Sequence, residues 1–206
     1  MRAVALLALS VVVLSSCASG EVSASSTPAP KVIKETLHGD LDFSPYERTI
    51  IESASALWAS QTGGLARLTI VWDVAFQDVE GMAVHMGAHH NIIVRMAPDL
   101  EAVKRGESPD SVLVGWVEPG GGLRSPLRAT GVYVYLVPQR ATGGTLKHVV
   151  VHELGHVLGA NHTDSPNSMM HFSVMPGTPV CLTRQDLASF CEVNDCGTSA
   201  TYACED

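Results

Sequence analysis

Apolar positions fall along the chain in three rhythms. Behind Arg2, residues 3–14 form a nearly unbroken apolar block, too short to stay in a bilayer as a permanent helix, which predicts an export signal. Further on, Ile50, Ile51, Ala54, Leu57 and Trp58 recur at helical spacing. Ser44-Pro45-Tyr46-Glu47 starts that helix: Ser44 can cap it, Pro45 suits its first turn and Glu47 completes a capping box, while Gly63-Gly64 stop it. Residues 66–76, 91–95, 111–117 and 131–137 are rich in β-formers and are separated by Gly, Pro and Asp, so they predict strands. Residues 146–158 are apolar nearly all round and predict a buried helix capped by Thr145. A last helix is expected over residues 183–193, with Thr183 as cap and Asp186 closing its box. This order of elements predicts an α+β domain built on one mixed sheet.

Composition narrows the classes. The 206 residues carry a net charge of −8 with 17% charged side chains and no Lys/Arg cluster, so no nucleic-acid partner is expected. Residues 18–30 hold Ser, Ala, Pro and Thr with almost no large apolar side chain and cannot bury enough surface to fold; they read as a tether. Leu14-Ser15-Ser16-Cys17 resembles the bacterial lipobox, which implies cleavage before Cys17 and acylation of its thiol and amino terminus. The other reading is an ordinary signal peptide that discards Cys17. The expected organisation is a signal peptide over 1–16, lipidated Cys17 and tether over 17–30, and one catalytic domain over 31–206. It implies a monomeric exported lipoprotein held by lipid at the outer membrane or cell surface, with release from it as an alternative.

Cys181, Cys191, Cys196 and Cys204 remain, an even number in an exported chain. Two disulfides are expected, in any of three pairings. A zinc site is the rival, but gaps of nine, four and seven residues lack the CxxC pairs that clamp a tetrahedral ion.

Residues 152–162 read His-Glu-Leu-Gly-His-Val-Leu-Gly-Ala-Asn-His. Positions four apart on a helix share a face, so His152 and His156 can reach one cation at about 2.0–2.1 Å. Were the helix to continue, His162 would lie about 9 Å further along the axis and on another face. Gly159 removes that obstacle, because glycine accepts the left-handed conformation that ends a helix and turns the chain back. Glu153 points about 100° round the helix from His152, beside the position that three His ligands leave for water. Zinc lowers the pKa of such a water to about 7, and a neighbouring carboxylate makes it a nucleophile. The pattern therefore predicts zinc-assisted peptide hydrolysis, with His152, His156 and His162 as ligands and Glu153 as general base. Leu154, Val157 and Leu158 would suit a plain core helix, but Gly and a third His at fixed offsets make a chance match about two to three orders of magnitude rarer than a bare HExxH.

HExxHxxGxxH is the metzincin signature, and residues 145–172 resemble the matrixin branch, with Pro166 and Met170 four and eight residues after His162. The resemblance implies a metzincin-like (zincin) domain: a mixed, mostly parallel sheet, an active-site helix and a C-terminal helix. It also implies that Met170 belongs to a Met-turn flooring the ligands without binding metal; Met169, Met175 or plain core packing are the alternatives. By the same resemblance, residues 111–117 form the sheet edge lying antiparallel to a protein or peptide substrate, with Gly115, Trp116 and Val117 as substrate-binding residues; an ordinary strand is the other reading. Thr163 stands where matrixins usually carry Ser, and Met170-His171-Phe172 replaces Met-Tyr-Pro. Phe172 has no hydroxyl and offers no astacin-like fifth ligand.

Other histidines fit plainer roles. His85, His89 and His90 lack the spacing and aspartates of a second zinc site and read as solvated loop residues. His148 shares the face of His152 one turn too far back for the same ion, which leaves packing or surface. Gly120-Gly121-Gly122 reads as a turn. No structural calcium or second zinc is identified. Rival functions are a catalytically idle zinc-binding recognition module and a zinc hydrolase of a non-peptide amide.

Overall fold

The computed structural model describes residues 31–75, 91–98, 114–119, 132–141, 143–173, 179–196 and 204. The export signal, Cys17, the tether, His85, His89, His90, Gly120–Gly122 and Met175 lie outside them.

Strand β1 (Ile33–Asp40), helix α1 (Pro45–Gln61) and strand β2 (Ala66–Val74) open the fold as a β-α-β unit whose strands pair in parallel. Strands β3 (Asn91–Arg95), β4 (Gly115–Pro119) and β5 (Val132–Leu136) complete a sheet of order β2-β1-β3-β5-β4. Every neighbouring pair is parallel except β4–β5, which is antiparallel with β4 at the edge. A short 3-10 turn (Pro138–Arg140) leads to helix α2 (Gly143–Val157), and helix α3 (Arg184–Asn194) follows. This is the α+β architecture on one mixed sheet that the order of elements predicts, and the sheet is mostly parallel as the resemblance implies. Among the described residues, no helix is long and apolar enough to cross a membrane.

The sequence pattern assigned no element to β1, which nevertheless sits between β2 and β3. Only Ile33 and Leu37 of its core-facing positions are buried apolar side chains; Glu35 between them accepts a hydrogen bond from Asn91. Thr145 is a second departure, since α2 starts at Gly143 and Thr145 lies exposed inside the first turn. The expected strand over 111–117 is described from residue 114 and runs on to Pro119.

One sheet face, carrying Ile33, Leu37, Ile93, Val132, Val134 and Leu136, packs with α1 and α2 into the main core. The alternate residues Ile92, Val94, Tyr133 and Tyr135 join Val74, Met96 and Val137 in a second cluster. With both faces covered, all five residues of β5 are buried, as in a central parallel strand. Trp58 of α1 is fully buried and donates its indole N–H to the Val151 carbonyl of α2 at 2.8 Å, tying the two helices together.

The capping box of α1 is present: Ser44 Oγ accepts from the Glu47 N–H, and Glu47 accepts from the Ser44 N–H at 2.7 Å. Glu47 also takes Arg95 Nε at 3.1 Å, which links the helix start to β3. Burial alone would push the Glu47 carboxyl up; hydrogen bonds from Arg95 and Ser44, with the Arg95 charge, outweigh it and hold it below the usual carboxylate value.

Helix α2 ends in a Schellman turn. The Ala160 N–H donates to the Gly155 carbonyl and the Gly159 N–H to that of His156, both at 2.9 Å, with Gly159 at φ +90°. An L side chain is strained there, so the turn demands glycine.

Two experiments test these local structures. Alanine at Gly159 lowers the unfolding free energy of the metal-free protein by about 1–2 kcal/mol. Alanine at Gly144, in the first turn of α2 with no atom near its would-be Cβ, raises it by up to about 1 kcal/mol. Chemical denaturation giving the same sign for both would contradict the turn. In the second experiment, Glu47→Gln costs about 1–2 kcal/mol at neutral pH. Because the folded-state pKa is depressed, the wild-type advantage is complete above the unfolded value near 4.3 and is lost as pH falls through the folded value. The two denaturation curves therefore converge in acid.

Candidate metal centre

Helix α2 carries His152, Glu153 and His156 in its buried second half, and the Schellman turn returns the chain so that His162 faces them. The three Nε2 atoms form a near-equilateral triangle: 3.1 Å between His152 and His156, 3.1 Å between His156 and His162, and 3.2 Å between His152 and His162. His152 Nδ1 lies 2.8 Å from the Met169 carbonyl and His156 Nδ1 2.9 Å from the Ala160 carbonyl. A carbonyl oxygen only accepts, so both Nδ1 atoms carry the proton and both Nε2 atoms present lone pairs. Facing lone pairs at this spacing repel unless a cation stands among them. Protonation is opposed: burial, then the neighbouring imidazoles, push His152 down to about 3, and burial foremost pushes His156 down to about 4. Burial and the nearby His171 also lower His162. Three neutral imidazole donors so disposed fit zinc, whose nitrogen ligands stand at about 2.0–2.1 Å.

Glu153, the next residue after His152, is buried, and among the described residues nothing hydrogen-bonds to its carboxylate. Burial pushes it up to about 8. A buried, unpartnered carboxyl is costly to folding and available for proton transfer.

The floor under α2 comes from residues 168–170. A Cβ on Gly155, between the first two histidines on the helix, would overlap the Met170 sulfur and stand 2.8 Å from Trp58 Cζ2. Met170 therefore packs directly against the helical turn that carries His152 and His156. Met169, also fully buried, contributes its carbonyl to His152 instead.

This floor hangs on α3. Both Thr183 and Asp186 take part in the capping box of that helix. The fully buried Asp186 carboxylate also accepts the Met169 N–H at 3.0 Å, the Met170 N–H at 2.8 Å and the Ser168 hydroxyl. Cap chemistry in the sequence points to Asp186 as a capping residue alone and to neither Ser189 nor Asn194, both of which bond the segment leading to His162. The available signal was polar residues at the apolar spacing of an amphipathic helix, with Asp186 and Asn194 each four residues from buried Phe190.

The remaining residues fall around this core. His148 is buried outside the triangle; burial lowers its pKa, partly offset by the charge of Asp186. Edge strand β4 lies against α2, since a Cβ on Gly115 would stand 2.8 Å from Val149 Cγ1. Trp116 pairs with Tyr135 and Val117 with Val134 of β5. His171 stacks on the exposed Phe172, with ring centroids 4.2 Å apart. The cysteines pair as Cys181–Cys204, whose members flank α3 in sequence, and Cys191–Cys196, which ties the last turn of α3 to the chain just beyond it.

A search of curated proteins returns no match. Among solved structures, metalloproteinase-II from Bacteroides fragilis aligns at a TM-score of 0.49 and 15% identity, over 81% of this chain and 54% of that one. The chain thus spans about half the length of that protein. Residues 33–193 match the matrixin family model, so the chain belongs to the matrixins, a family of zinc metalloproteases.

Proposed function

We propose that the chain is a zinc-dependent endopeptidase in which His152, His156 and His162 hold the metal and Glu153 is the general base. The observation that carries this reading is the triangle of three Nε2 atoms beside a buried carboxyl to which no other described residue hydrogen-bonds. When bound, zinc supplies a Lewis acid for the scissile carbonyl and acidifies the attacking water. Burial holds the Glu153 carboxyl well above its usual range, and a dication bound beside it would favour the ionised form. Glu153 then takes the proton of that water and passes it to the departing amine. Carbonyls of Met169 and Ala160 hold two imidazoles in the tautomer that leaves Nε2 free. Met170 supports the helix from below without ligating.

Substrate is read through the main chain. Among the described residues β4 is an edge strand, and such an edge can add an extended peptide as an antiparallel strand whatever its sequence, which would lay the substrate along Gly115, Trp116 and Val117. Upstream, the lipobox-like Cys17 supports attachment to a membrane surface.

Incubation with an unfolded protein tests the chemistry. Glu153→Gln is expected to lower kcat by about 100- to 10,000-fold while zinc content is retained. Chelation abolishes cleavage by the wild type, and zinc restores it. Retained cleavage in Glu153→Gln would remove Glu153 from its role; zinc binding without cleavage of any peptide library would sink the peptidase reading. For attachment, Cys17→Ser is expected to move the protein from the membrane fraction to the soluble one, and continued sedimentation with membranes would contradict acylation.

A further inference from the structure

The three imidazoles are not held alike. His152 and His156 each have a ring nitrogen fixed by a main-chain carbonyl. For His162, the exposed member of the triangle, the described residues provide no such bond, and its only ring partners are the other two imidazoles. Its direction is therefore set by the main chain on either side. After it, the Thr163 N–H donates to the Met170 carbonyl at 3.0 Å. Before it, one side chain of α3 engages both polar groups of the same residue: Ser189 Oγ accepts the Asn161 N–H at 2.7 Å and donates to the Asn161 carbonyl at 3.0 Å. Asn194, further along α3, donates to the Leu158 carbonyl at 2.9 Å and so holds the start of the same turn.

From this we infer that Ser189 is a positioning residue for His162. Its hydroxyl fixes the peptide just before the ligand, as the Met169 and Ala160 carbonyls fix the rings of the other two. The inference rests on the reading of the three histidines as zinc ligands. A two-bond clamp on one residue removes the rotation about the Asn161 backbone that would swing the imidazole away from the triangle. Asn161 is exposed, so water replaces the hydroxyl when it is removed and folding loses little. Water does not fix the direction of the peptide, so the loss falls on metal binding.

Zinc affinity of the purified metal-free protein, measured by competition with a chromophoric chelator, tests this in the wild type, Ser189→Ala and Ser189→Thr. The cobalt(II) visible spectrum of each variant reports ligand geometry independently of turnover. Ser189→Ala is expected to weaken zinc binding about 10- to 100-fold and to reduce the cobalt absorption, with the metal-free unfolding midpoint close to that of the wild type. Ser189→Thr keeps the hydroxyl and is expected to bind zinc nearly as tightly as the wild type. Unchanged affinity in Ser189→Ala would overturn the inference, as would a threonine variant as weak as the alanine one. Failure of the wild type itself to bind zinc would instead overturn the proposed function, and the inference with it.

Discussion

Three imidazole Nε2 atoms lie 3.1–3.2 Å from one another, at least two of them presenting lone pairs, an arrangement that no packing force favours by itself. It must be imposed by its surroundings, and a cation among the rings would relieve it. The rest of the domain can be understood as the means of imposing it. Trp58 and the sheet fix α2, the glycine turn reverses the chain, and α3 holds what comes back.

Asp186 is where these supports meet. A fully buried carboxylate costs several kcal/mol unless charge-assisted hydrogen bonds replace its water, and donors from Thr183, Ser168, Met169 and Met170 do so. Those bonds set the Met169–Met170 backbone. The Met169 carbonyl then sets the tautomer of His152, while the Met170 side chain supports Gly155. A single carboxylate on one helix is coupled in this way to the Nε2 of His152 on another.

Much of this was legible in the sequence because it follows local rules. Ser44 with Glu47, and Thr183 with Asp186, announce their helices through cap chemistry, and both boxes form. The His-Glu-x-x-His spacing and Gly159 announce a helix, a turn and a convergence of imidazoles. Strand β1 was not legible, because its place between two strands is set by pairing along the backbone while its side chains alternate weakly: Glu35 and His38 occupy positions where a buried strand would show Val or Ile. Thr145 failed as a cap because Gly143 and Gly144 continue the helix backwards. Disulfide pairing depends on where α3 docks, which spacing alone does not encode. Ser189, Asn194 and Trp58 act on main-chain carbonyls or N–H groups, and a bond to the backbone leaves no signature in the partner residue.

The order of elements along the chain has a consequence for assembly. Helix α3 is made after all three histidines, so a nascent chain can display the whole motif while lacking the helix that braces its floor and its returning loop. A fragment ending before residue 184 would carry the whole histidine motif with no α3 to brace the loop that returns His162, so convergence of the three rings is a late event in folding.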